Sequence, residues 1–186
     1  HLPPIMRDAT HKLSKRHGDA NFEDFLEKGY LVPAIVNYIA LLGWAPSDNR
    51  EKMSMAELMD AFDIKGISKS GSILDEAKMK WLNSQYIKEL SEDEFVALAK
   101  PFFKKSKAAG KYDYKKLAKL LIPRVEILSD IPSKIDFLEE FEGYDKELYE
   151  NKKNKMDKQI AVEILEKCIP KFEQTDDYSE GNLQAI

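Results

Sequence analysis

Apolar positions along this chain recur at helical spacing. Phe22, Phe25 and Leu26 share one face between Asn21 and Lys28, and Gly29 follows as a residue suited to a left-handed helix end. Pro33 presets a first-turn dihedral for a helix carrying Ile35, Val36, Ile39 and Leu42, which stops at Gly43. Ser54 with Glu57, and Ser91 with Glu94, read as capping boxes ahead of the stripes Leu58/Met59/Phe62 and Phe95/Val96/Leu98. Asp75 is placed to cap a helix holding Met79, Leu82 and Tyr86, and Asp113 one holding Leu117, Leu120 and Leu121. Pro101, Pro123, Pro132 and Pro170 interrupt or begin helical text. Strand-like alternation is confined to Leu2–Met6, and no repeat or low-complexity tract occurs. The pattern predicts a mainly all-α fold of short, kinked helices in two units, with a break near Ser91. No glycine-rich strand-turn-helix appears, so a nucleotide-binding Rossmann domain is absent.

Composition supports a packed core: 43% of the 186 residues are apolar and 10% aromatic. No apolar run approaches the roughly 18 residues needed to span a bilayer, and no leader pattern opens the chain, so a membrane is excluded and a cytoplasmic location expected. Cys168 lies among Ile164, Leu165 and Ile169 at helical spacing and reads as an inert buried thiol in a reducing compartment. The formal charge of −4 conceals an asymmetry. Lys100 to Arg124 contains nine basic residues against Asp113 alone, whereas Ser129 to Glu150 sets eight acids against Lys134 and Lys146. An anion-facing side and a solvent-facing side are expected. The chain opens on His1-Leu2-Pro3-Pro4 and closes on an uncapped apolar phrase, Asn182 to Ile186, and reads as a piece of a longer protein.

The densest candidate chemistry is Lys12-Leu13-Ser14-Lys15-Arg16-His17-Gly18, with two lysines around a serine ahead of a glycine. Taken alone, such a run fits an anion-gripping loop or a plain solvated turn. It resembles the K-M-S-K-S signature of class I aminoacyl-tRNA synthetases, in the K-L-S-K-R-H-G form of bacterial-type glutamyl-tRNA synthetases. Gly29-Tyr30-Leu31, Pro33-Ala34, Asn37-Tyr38, Leu41-Leu42-Gly43-Trp44, Trp81-Leu82-Asn83 and Gln85-Tyr86-Ile87 keep that family's order and spacing. The resemblance covers essentially the whole chain, most closely as far as residue 90.

The resemblance implies three parts: the end of a catalytic domain (1–20), a helical domain touching the tRNA stem (21–90), and a helical anticodon-binding region cut short at its C-terminus (91–186). The parent would join glutamate to tRNA through glutamyl-adenylate, using ATP with Mg2+. Lys12 and Lys15 would close onto phosphate charge chiefly in the transition state. Ser14 would hold the loop or donate to a phosphate, and Arg16 replaces the signature's final serine. The family's H-x-G-H turn is missing, since only His1, His11 and His17 occur, without that spacing. The catalytic set is thus incomplete, and this chain alone is expected to be inactive, with no cofactor bound. No metal-ligand spacing or nucleophile elbow is present.

For the RNA, the resemblance places a base-contacting arginine in the Pro123-Arg124 segment; the plainer reading of Arg124 is a surface salt bridge to the acidic helices that follow. Lys115, Lys116 and Lys119 would meet phosphate or solvent. Lys69, in Ile67-Ser68-Lys69-Ser70-Gly71, is either a phosphate contact or part of a plain loop. Tyr112 and Tyr114 would stack on bases or serve the core or a helix cap, and Trp44, Trp81 and Tyr86 are expected in the core. The implied partner is glutamate-accepting tRNA, with a glutamine-accepting one left open, for a monomer that meets ATP and glutamate only in the full-length enzyme. The rival reading is a helical protein-interaction scaffold with a basic surface. A glutaminyl enzyme is disfavoured, because its anticodon domains are β-barrels.

Overall fold

A computed structural model describes residues 3–13, 21–107, 109–139, 143 and 145–185, with only the backbone of Lys146, Lys152 and Glu180. The elements are β1 (Ile5–Met6), α1 (Phe22–Glu27), α2 (Val32–Gly43), α3 (Met55–Ala61), β2 (Ser72–Ile73), α4 (Glu76–Ile87), α5 (Glu92–Phe103), α6 (Tyr114–Leu121), α7 (Ile131–Lys134), α8 (Lys158–Glu173) and α9 (Glu180–Ala185). The fold is mainly helical, and its one sheet is the parallel pair β1–β2, with Ile5 opposite Ser72 and Met6 opposite Ile73. The chain divides into two compact units, residues 1–140 and 141–186.

The helix starts of the first unit follow from their caps. Asp75 and Asp113 accept first-turn amides of α4 and α6. At α5, the Ser91 hydroxyl accepts the Glu94 amide while the Glu94 carboxylate accepts both the Ser91 N–H and its hydroxyl. Those bonds, the side-chain one foremost, hold the Glu94 carboxyl below its ordinary range. A lowered folded pKa contributes stability above the unfolded value, and that contribution fades as pH falls through the lowered one. Ser91→Ala is therefore expected to cost about 1 kcal/mol at neutral pH and less in acid, as read by denaturant melts at both pH values. An equal cost at both would contradict the reciprocal cap.

Two apolar clusters meet at Tyr86. One packs Tyr30, Ile35, Tyr38, Met79, Leu82 and Ile127 between α2 and α4. The other packs Phe95, Ala99, Phe103, Leu117, Leu121 and Ile131 around α5, α6 and α7, and also takes in Leu31, Ala34 and Ile87 from before residue 91. Gly29 has φ +82°, and a Cβ there would lie 2.5 Å from Leu128 Cβ and 2.8 Å from Phe102 Cζ. Both the turn and the packing of the residue 128 segment against α5 exclude a side chain at this position. Pro101 and Pro170 do not end their helices; each is accommodated near the C-terminal end, of α5 and of α8 respectively.

Two buried asparagines tie the first unit together. Asn83 Oδ1 accepts the Leu31 amide at 2.8 Å, and Nδ2 donates to the Glu126 carbonyl at 2.6 Å. Asn37 Oδ1 accepts from the Met53 amide and the Tyr86 hydroxyl, each at 2.8 Å. In the second unit, Asp157 caps α8 by accepting the Ile160 amide, and Asn151 bridges Met156. Cys168 is only partly buried, contrary to its expected place in a core: its neighbours Ile164, Leu165 and Ile169 are themselves exposed on α8.

Candidate nucleic-acid interface

The signature run begins on a hairpin. Met6 and Lys12 form an antiparallel bridge, Leu13 N–H donates to the Ile5 carbonyl at 3.0 Å, and Arg7 N–H to the His11 carbonyl at 2.9 Å. Asp8 shapes the turn by accepting the Thr10 and His11 amides, the Thr10 hydroxyl and His11 Nδ1, all at 2.9 Å. These bonds, led by the Thr10 amide, keep the Asp8 carboxyl far below the usual carboxylate range. Lys12 is exposed beyond this turn. Ser14, Lys15 and Arg16 lie outside the described residues.

Pairing of β1 with β2 joins the hairpin to the loop that carries Lys69. Leu74 N–H donates to the Met6 carbonyl at 2.9 Å, and a Cβ on Gly71 would fall 2.9 Å from the Pro4 carbonyl oxygen. Ser68 Oγ bonds the Ser70 backbone within this loop, and Lys69 is exposed without an ion pair among the described residues.

On α6, Leu117, Ala118 and Leu121 face inward, which turns Lys115, Lys116 and Lys119 outward. Two of these lysines meet acids from the first turn of α5: Lys115 Nζ lies 2.6 Å from Asp93 Oδ1, and Lys119 Nζ 3.6 Å from Glu92 Oε1. The Asp93 hydrogen bond and charge raise the Lys115 pKa. Lys116 has no ion pair among the described residues. Tyr114 is committed to the core, stacked on Phe103 at 4.4 Å and 5°, whereas Tyr112 is exposed and donates to the Leu138 carbonyl.

Past α6 the chain alternates. Val125 and Ile127 point inward, and Arg124 and Glu126 outward. Arg124 Nη1 donates to the Leu120 carbonyl at 2.7 Å, and Asp130 Oδ2 holds the turn by accepting the Glu126 and Ile127 amides, each at 3.2 Å. Arg124 forms no salt bridge among the described residues, and it lines a cleft of about 590 Å³. Trp81 and Gln85 line that cleft from α4, Lys88 from the cap just past its end and Lys134 from α7, and the acids Glu126 and Asp130 line it as well.

Trp81 is 41% exposed, so it is not the core residue expected: the inward face of α4 is taken by Met79, Leu82, Asn83 and Ile87. Trp44 is buried, and Tyr86 partly so, as expected. Sequence reasoning missed Gln85, Lys88 and Lys134, although the i, i+4, i+7 spacing of Trp81, Gln85 and Lys88 places them on one helix face. The structure thus brings Arg124 together with Trp81 and Gln85 of α4, Lys88 at its C-cap and Lys134 of α7. The α6 lysines lie on the helix just before it, while Lys12 and Lys69 belong to the β1–β2 region.

Comparison with known proteins gives a consistent picture. Residues 1–81 match the family of class I tRNA synthetases (E and Q), catalytic domain, and residues 94–186 match the anticodon binding domain family. The chain is 51% identical over 177 residues to a glutamate–tRNA ligase of Clostridium botulinum (strain Eklund 17B), covering 95% of this chain and 36% of that protein. It is 44% identical over 184 residues to one from Clostridium acetobutylicum, covering 99% and 38%. The chain thus spans little more than a third of the length of these curated relatives. Among solved structures, the glutamate–tRNA synthetase of Elizabethkingia anophelis matches with a TM-score of 0.64 at 31% identity, over 78% of this chain and 33% of that one. A glutamate tRNA ligase of Elizabethkingia meningosepticum shares the fold, with a TM-score of 0.71 at 24% identity, over 95% of this chain and 38% of that one. The chain therefore belongs to the glutamate–tRNA ligase family of class I aminoacyl-tRNA synthetases, with residues 94–186 in the family of anticodon binding domains.

Proposed function

We propose that this chain is the tRNA-binding part of an enzyme that attaches glutamate to tRNA. In this reading, Arg124 hydrogen-bonds an anticodon base, and Lys69, Lys115, Lys116 and Lys119 meet phosphates. The observation that carries it is the cleft that Arg124 lines together with the exposed Trp81. A planar fork that bonds two acceptors, an aromatic face, the Gln85 amide and two flanking lysines form a suitable set for an unstacked base and its phosphates.

Residues 1–20 would end the catalytic domain, 21–90 touch the tRNA stem, and 91–186 belong to the anticodon-binding region. In the parent, Lys12, Ser14, Lys15 and Arg16 would act on the triphosphate of ATP. Mg2+ would be carried on the ATP phosphates in the parent. This chain alone would then bind RNA without making glutamyl-adenylate. No helix among the described residues is long and apolar enough to cross a membrane, and the proposed setting is a monomer in the cytoplasm.

Binding to glutamate-accepting tRNA across a salt series tests the reading, with log affinity expected to fall linearly against log salt. Trp81→Ala should weaken binding by about 1 kcal/mol, roughly five-fold, with little change in the salt slope, since it removes stacking and not charge. Wild-type affinity in Trp81→Ala would count against the cleft.

A further inference from the structure

Two of the three α6 lysines proposed to meet phosphate are already engaged within the chain, Lys115 by Asp93 and Lys119 by Glu92. Exposed ion pairs of this kind stabilise a fold only slightly. Nor are both acids needed to cap α5, because Ser91 and Glu94 already form its capping box. Both acids are accessible, with side-chain exposures of 41% for Glu92 and 74% for Asp93. A phosphate approaching Lys115 or Lys119 thus meets an ammonium and a carboxylate together, and the attraction and repulsion largely cancel.

We infer that Glu92 and Asp93 form an intramolecular competitor of RNA, an autoinhibitory contact that occupies Lys115 and Lys119 and holds down the affinity of α6 for phosphate. The inference rests on the tRNA-binding reading above. Its consequence is kinetic: a protein whose product is the bound RNA must release it, and carboxylates that recapture the lysines as phosphates leave speed dissociation. The mask adjoins the base-reading group, because Arg124 is hydrogen-bonded to the last turn of α6 through the Leu120 carbonyl. Affinity and base choice are therefore set by different residues on neighbouring turns.

The test measures affinity and dissociation rate for the whole chain against glutamate-accepting tRNA and an unrelated RNA hairpin, from low to moderate salt. Glu92→Gln/Asp93→Asn unmasks two ammonium groups. Both RNAs should bind roughly ten-fold tighter at ~0.1 M salt, mostly through slower dissociation, with a salt slope steeper by about 1.4–1.8. Glu23→Gln/Glu27→Gln changes the net charge equally but frees no lysine among the described residues, and should leave the slope unchanged. Equal effects of the two double variants, or tighter binding at an unaltered slope, would overturn the inference. Should the first variant fail to fold, Lys115→Gln/Lys119→Gln decides: weaker binding of both RNAs is expected, and unchanged binding would sink the mask. The hairpin arm reads the mask even where anticodon preference is absent, so failure of the tRNA reading remains distinguishable from failure of the inference.

Discussion

Arg124→Ala is expected to erase discrimination between glutamate-accepting tRNA and the same tRNA with a substituted anticodon, while leaving most of the salt-dependent affinity in place. One Nη1–H of the guanidinium is spent on the Leu120 carbonyl, which orients the group, and the residue lines the cleft. A guanidinium that bonds a base edge loses about 1–3 kcal/mol of discrimination on truncation, roughly a 5- to 150-fold change in the affinity ratio. The loss of one charge flattens the salt slope by less than about 1. Arg124→Lys is not expected to restore discrimination, because an ammonium cannot both hold the Leu120 carbonyl and present a planar fork. A ratio unchanged in Arg124→Ala would move base reading elsewhere in the chain.

Asn83→Ala carries the other large effect, on stability. Asn83 is fully buried and hydrogen-bonds both the Leu31 N–H and the Glu126 carbonyl. Removing the amide leaves two backbone groups without that partner, at about 1–3 kcal/mol each, so a total of about 2–6 kcal/mol is expected in urea unfolding. The same bond fixes the segment two residues beyond Arg124. At temperatures where Asn83→Ala remains folded, anticodon discrimination should therefore shrink as well, even though Asn83 does not line the cleft. A destabilisation below about 1 kcal/mol would mean that water or a backbone shift satisfies both groups.

Much of the helical architecture was legible in the sequence because its signals are local. Asn21, Ser54, Asp75, Ser91 and Asp113 each stand at the N-cap of a helix expected from an apolar stripe, and Gly29 takes its left-handed turn. Pro101 and Pro170 were harder to place, since a proline in the last turns of a helix costs less than one in the middle. Trp81 misled for a different reason. A large aromatic is usually buried, and only the three-dimensional assignment of Met79, Leu82, Asn83 and Ile87 to the inner face leaves position 81 outside. The Arg124 cleft was half legible: the arginine stood out by resemblance and spacing puts Trp81, Gln85 and Lys88 on one helix face, but that this face and Lys134 meet Arg124 depends on tertiary packing that no spacing encodes. The pairing of Lys115 and Lys119 with the first turn of α5 was invisible for the same reason, as it depends on how α5 and α6 pack.

The most direct measurement is the affinity of the unaltered chain for glutamate-accepting tRNA and for its anticodon-substituted version, each followed across the same salt series. The account predicts parallel salt dependences separated by a constant factor of roughly 5- to 150-fold in favour of the native anticodon. Two superimposed lines would contradict it, leaving a surface that holds phosphate and reads no base.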